Sequence, residues 1–387
     1  MAVNRSIYLD YAAATPMDPK VQSVMQPFFT DNFYNPSASY LAANAVADTL
    51  QIARSSVAGI IGARSPEIIF TAGGSEANNL AIKGVAQAFP GCHMVTTALE
   101  HDSVRSPMEF LSKKGWSHTE VLPNTEGLVD PNAVIQAVQD STVLVSVMYA
   151  NNEIGTIQPI KQIGQQLKTI RETRKKKGNK MPLYYHTDAC QAVNYLDLHV
   201  HSLGVDLMTL NGGKIYGPKQ SGVLFVASNV TLLPLIHGGG QERGLRSGTE
   251  NIVGAVGFTR ALELAQSLRR EESERIKDLQ QYFVAQLLEH LPTAHLNGSQ
   301  KHRLPNNVHI TVPNTDNERL LFALDEQGIQ AASGSACSAS KEESSHVLRA
   351  LGMSEEQARS SLRFSLGRRT SEADIHRVVQ VLTKIVT

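Results

Sequence analysis

Apolar residues follow two different periods along this chain. Short apolar runs recur at 68–71, 93–97, 119–122, 142–149, 183–187, 207–210 and 222–227. Their length and their polar or glycine-rich flanks predict buried strands. Between them the spacing changes to three and four residues. Leu41, Ala45, Val46, Leu50 and Ala53 mark a helix over 42–57, and Ile160, Ile163, Leu167 and Ile170 share one face of another. Further helices are predicted after Thr71, at 103–114 and at 131–139. Strands alternating with helices imply an α/β domain with a mostly parallel sheet, whose ligand site lies at the carboxyl ends of the strands.

The pattern changes after residue 252. A long amphipathic helix is predicted over 254–290, carried by Leu262, Leu264, Leu268, Ile276, Leu279, Phe283 and Leu287. A strand near 307–312, a loop and helices near 344–350 and 372–386 follow. The expected division is a large α/β domain over 16–252 and a smaller α+β domain built from 1–15 and 253–387.

Charge and cysteine usage narrow the function classes. Lys plus Arg and Asp plus Glu each number 36, which gives no support for nucleic-acid or membrane-surface binding. No apolar run approaches the roughly 18 residues of a membrane span. The N-terminus shows no signal-peptide core, so the expected location is the cytoplasm. The basic stretch 171–180 reads as a solvated helix end. Three cysteines without a C-x-x-C pair point to neither a disulfide framework nor a metal site.

Several segments at predicted strand ends carry candidate chemistry. Lys214 follows Asn211-Gly212-Gly213, a turn from which a desolvated lysine can act as an amine nucleophile. The glycine turn at Gly73-Gly74-Ser75 opens a helix and suits an anion; an ordinary turn capped by Ser75 is the alternative. Asp188 either pairs with a protonated ring nitrogen or caps the next helix. His101 either stacks on a flat cofactor or is a polar strand exit. Asn152 follows the strongest strand. Arg363 either clamps a carboxylate or makes a surface ion pair. Cys190, between Asp188 and Gln191, reads as a small packing residue. Around Cys337, segment 331–340 has no side chain larger than the cysteine. Such a segment buries almost nothing, which predicts a thiol on a loop that travels. A Schiff-base lysine, a pyridine acid, a phosphate turn, a stacking ring and a carboxylate arginine are together the needs of pyridoxal phosphate chemistry.

With those residues in view, the chain resembles the cysteine desulfurases of the class V aminotransferase family, in the group with the long active-site loop. The resemblance covers 8–16, 70–84, Glu100-His101, 151–155, 188–191, 214–218, 246–249, 333–337 and 363–367. It implies the fold type I of pyridoxal 5'-phosphate enzymes: a mostly parallel seven-stranded sheet with helices on both faces, plus a smaller α+β domain. It implies conversion of L-cysteine to L-alanine, with sulfur passed to Cys337 as a persulfide and then to an iron–sulfur scaffold or a tRNA-thiolation enzyme. It implies that Lys214 links to the cofactor and moves the Cα proton, that His101 stacks on the ring, and that Asp188, Gln191 and Asn152 hold it. Gly74 and Ser75 hold the phosphate, joined by Thr249 from the other copy of a homodimer. Arg363 with Asn35 holds the substrate carboxylate, and His101 or a neighbour takes the thiol proton of Cys337.

Two departures stand out. The family's Ser-x-His before the lysine is Asn211-Gly212-Gly213, with Asn211 the expected substitute for one phosphate ligand and nothing in place of the imidazole. The usual threonine of the phosphate turn is Ser75. Other readings separate by experiment: a plain aminotransferase would not need Cys337, and a selenocysteine lyase would prefer the selenium substrate.

Overall fold

The computed structural model describes residues 6–334 and 344–387. Seven strands form the large sheet: β1 (Ile68–Thr71), β2 (His93–Thr97), β3 (Ser117–Val121), β4 (Thr142–Ser146), β5 (Tyr184–Asp188), β6 (Leu207–Asn211) and β7 (Gly222–Val226). Their spatial order is β1-β7-β6-β5-β4-β2-β3. Pairing is parallel throughout except where β7 meets β6 and β1. The order reverses between β4 and β2, and at that point a crevice opens outside the strand ends.

Both faces of the sheet are covered, which is why its strands read as apolar runs rather than as alternating ones. Ile68, Val95, Val145, Tyr185, Met208 and Phe225 belong to one buried cluster, with residues of the Leu41–Ile61 and Ile160–Lys176 helices. Their chain neighbours Ile69, Met94, Leu144, Tyr184, Leu207 and Leu224 belong to a second, with the Gly74–Ala88 and Asp102–Ser112 helices. Adjacent residues of one strand thus serve opposite cores.

A third cluster gathers Leu9, Ile276, Phe283, Val308, Ile310, Leu362, Phe364 and Ile375. Its antiparallel sheet pairs Asn307–Thr311 with Ser361–Ser365 on one side and His295–Leu296 on the other. The Ile252–His290 helix bridges the two regions, with Phe258 and Leu262 in the first core and Ile276 and Phe283 in the third. Residues 7–8 pair with Ile329–Gln330, and Asp10 bridges to Ser365. The N-terminal segment therefore leaves the small sheet and crosses to the crevice.

A helix also occurs where the apolar spacing predicts a loop. Asn317–Glu326 buries only Leu320 and Leu324, one residue per turn, too thin a stripe to stand out from its charged neighbours. Its N-terminus is closed by Asp316, which accepts the Arg319 N–H. Among the described residues no helix is long and apolar enough to cross a membrane.

Candidate active site

The crevice holds a cleft of about 180 Å³, lined by Gly74, Ser75, His101, Asn152, Asp188, Gln191, Asn211, Lys214 and Arg363 together with residues not singled out from the sequence. The segments contributing these residues lie far apart in the chain and meet here because parallel strands end on the same side.

Lys214 leaves β6 through a tight turn. A Cβ on Gly212 would fall 2.1 Å from Ser221 Oγ, so no side chain fits there. Asn211 Oδ1 accepts the Gly213 N–H at 3.0 Å and closes the turn on itself. The lysine amine donates to the carbonyls of Ala12 and Ala13 at 2.9 and 2.6 Å. Gln191 Nε2 donates to the same Ala12 carbonyl at 3.0 Å. The crossing N-terminal segment is thereby pinned over the lysine.

The second glycine turn is built differently. Gly73 takes φ 138°, closed to other residues, and no side chain caps the Gly74–Ala88 helix. Ser75 sits inside the helix rather than capping it. The first-turn N–H groups keep their anion-binding character. A Cβ on Gly74 would lie 2.9 Å from Cys190 Sγ and 3.4 Å from Asn211 Nδ2. Cys190 is thus a wall of the cleft as well as a packing residue, and burial beside Asp188 pushes its thiol pKa well up.

Asp188 does two things at once. Its Oδ1 accepts the Cys190 N–H at 2.9 Å and closes a turn, since no helix follows for it to cap, while its Oδ2 accepts Asn78 Nδ2 at 2.7 Å. Asn78 and Ser103, both lining the cleft, were missed in the sequence. The only signal was a polar residue on the apolar side of a helix. His101 caps the Asp102–Ser112 helix through Nδ1 and lies on the cleft wall. Next to it, Glu100 is wholly buried. Burial pushes its carboxyl up to about 8, against the Met148 N–H and Thr97 hydroxyl and with help from the Asp188 charge.

Arg363 makes a buried ion pair, not a surface one. It is 1 % exposed, donating to Asp10 Oδ1 at 2.6 Å and to the Asn152 carbonyl at 3.1 Å. Asn35 is exposed, accepts the Ser37 N–H and does not line the cleft; Thr249 is exposed and also stands outside it. Gly213 does not line the cleft, and its N–H is taken by Asn211 Oδ1. Cys337 lies outside the described residues. The residues that flank it, Gly334 and Ser345, meet at Glu153. The Ser345 hydroxyl donates to Glu153 Oε2 at 2.6 Å, and a Cβ on Gly334 would lie 3.1 Å from the same oxygen.

These residues fit pyridoxal phosphate. An amine, a carboxylate, an uncapped helix start and a flat ring line one cleft. Asn78 Oδ1 is buried there without a hydrogen-bond partner, an acceptor still open to a ligand donor.

The family model for aminotransferase class V matches residues 7–378. Cysteine desulfurase IscS of Dictyoglomus turgidum is 40% identical over 386 residues, covering 99% of this chain and 95% of that protein. Among solved structures, a NifS-like protein superposes with a TM-score of 0.89 at 31% identity, covering 98% of this chain and 99% of the other. SspA, solved in complex with cysteine, gives a TM-score of 0.78 at 34% identity, covering 93% and 99%.

Proposed function

The chain belongs to the aminotransferase class-V family, and from that membership we infer that it is a pyridoxal 5'-phosphate-dependent cysteine desulfurase. It converts L-cysteine to L-alanine and moves the sulfur to Cys337. The observation that carries this reading is the convergence of Lys214, Asp188, His101 and the uncapped Gly74 helix start on one cleft, with Arg363 beside them. SspA, similar over nearly its whole length, was solved with cysteine bound.

Bound in this cleft, the cofactor supplies an aldehyde that links to an amine and an electron sink for the Cα carbanion. Lys214 is the residue for the covalent link. Asp188 would meet the ring nitrogen, Gln191 and Asn152 the ring edge, and His101 a ring face. Gly74, Ser75 and Asn211 would hold the phosphate, with Thr249 from a second copy in a homodimer. Arg363 holds the substrate carboxylate; the Asp10 ion pair orients the guanidinium for it. Lys214 removes the Cα proton. The Cys337 thiolate attacks the substrate sulfur: the S–S bond forms, the C–S bond breaks, and the electron pair stays on carbon, which takes a proton to become alanine. Cys337 keeps the sulfur as a persulfide and passes it to an acceptor protein, an iron–sulfur scaffold or a tRNA-thiolation enzyme, in the cytoplasm.

The test is release of alanine and sulfide from L-cysteine with a thiol reductant, wild type beside Cys337→Ala, with the visible spectrum of each. A yellow, active wild type and a yellow, inactive variant are expected. Equal alanine release by the two would remove Cys337 from the reaction, and a yellow wild type that forms no alanine would leave a plain aminotransferase.

A further inference from the structure

His101 opens its helix as the N-cap residue, and its Nδ1 accepts the Ser103 N–H at 3.1 Å. A ring nitrogen that accepts a backbone N–H carries no proton in the neutral ring. The Ser103 hydroxyl lies 2.8 Å from the same Nδ1, which has only its lone pair to offer it. Asn78 Nδ2 donates to Asp188 Oδ2 at 2.7 Å and to Ser103 Oγ at 2.8 Å. The flipped amide would set Asn78 Oδ1 against the Asp188 carboxylate, two acceptors with no proton between them. Asn78 is 0% exposed, so water does not soften that repulsion. Ser103 Oγ thus accepts a hydrogen bond from Asn78, and because Nδ1 already accepts the Ser103 N–H, the hydroxyl turns its own hydrogen toward His101. Two donors converge on Nδ1, while Nε2 has no hydrogen bond among the described residues.

We propose that Asn78 and Ser103 are positioning residues that hold His101 as its Nε2–H tautomer, so that the ring meets the cleft as a hydrogen-bond donor. The inference deepens the desulfurase reading and rests on it. A proton taken up by this ring would land on Nδ1, on the helix side, against two donors. In this tautomer the ring presents an N–H, not a lone pair, to the cleft. The expectation that it takes the Cys337 thiol proton gives way, and Lys214 is the amine in the cleft for proton uptake. Asp188 contributes at a distance as well, because its carboxylate fixes which way the Asn78 amide points and so gives Ser103 Oγ a donor.

The experiment uses the holoenzyme labelled with 15N-histidine. Two-bond proton–nitrogen correlations read the tautomer, and the His101 signals are assigned by their loss in His101→Phe. Wild type should show the Nε2–H pattern. Ser103→Asp replaces a donor by an acceptor and should move His101 to a form protonated at Nδ1. Its kcat should fall about tenfold or more, with KM and bound cofactor unchanged. Ser103→Thr keeps the hydroxyl and should match wild type in both readouts. An Nδ1–H pattern in wild type, an unmoved pattern in Ser103→Asp, or an altered tautomer with full kcat each overturns the proposal. A wild type inert toward L-cysteine but showing the Nε2–H pattern would overturn the desulfurase reading and leave the tautomer assignment standing.

Discussion

Two glycine turns face the cleft, and they use their backbone donors in opposite ways. The turn at Gly73-Gly74 leaves its helix start without a side-chain cap, so its first N–H groups have anion-binding character. The turn at Asn211–Gly213 caps itself, because Asn211 Oδ1 takes the Gly213 N–H. What distinguishes them is a single side chain. An asparagine at the strand end converts an open donor into a closed one and leaves its own Nδ2, near Gly74, as the group that can reach outward. The first turn is therefore suited to holding a phosphate and the second to presenting a lysine.

The strongest way to break this comparison is at the lysine. Lys214→Ala should abolish the visible cofactor band of the purified protein and lower alanine formation by at least about a thousandfold. A variant that keeps the band would show that the second turn presents nothing the cofactor needs. Next comes the missing imidazole. Gly213 has ordinary backbone angles, and a Cβ there would meet Asn211 Oδ1 only at 3.5 Å, so a side chain fits. Gly213→His should tighten cofactor binding by about tenfold, measured by equilibrium dialysis. Unchanged affinity would mean that the self-capped turn already compensates.

A smaller effect probes the first turn. Gly74→Ala places a methyl against the Cys190 sulfur and should weaken cofactor binding by about fivefold. Cys190→Ala in the same chain should restore it, a non-additivity that the open turn by itself would not produce. If the double variant is no better than the single one, the contact with Cys190 is irrelevant to the phosphate.

The smallest effect lies behind Asp188, which stands between the turns. Glu100 has its carboxyl raised from 4.5 to about 8, chiefly by burial. The folded chain then holds a proton that the unfolded chain releases, so this group stabilises the fold at low pH and loses that contribution between about 4.5 and 8. Glu100→Gln keeps the neutral shape and should melt a few degrees above wild type at pH 9, with the difference vanishing near pH 4. An equal gap at both pH values would mean that the carboxyl is not neutral in the fold.

Much of this site was legible in the chain. Lys214 after two glycines, Asp188 ending a strand and Gly74 opening a helix are local facts, and each side chain lies where its strand delivers it. Other members were not legible, because their roles depend on partners distant in sequence. Asn78 meets Asp188 across 110 residues, and Arg363 meets Asp10 across 353. Asn35 and Thr249 were suggested by resemblance alone, and both are exposed on this chain.

By itself the sequence determined the succession of strands, turns and helices, since apolar period and turn chemistry act over a few residues. It also determined which reactive groups sit at strand ends. Only the tertiary structure decided what those groups can do. It left one glycine turn open while the other closed on Asn211, buried Glu100 far enough to keep it neutral, and ran a chain of hydrogen bonds from Asp188 to His101. Burial and hydrogen-bond direction depend on which surfaces are brought together, and no local pattern encodes that.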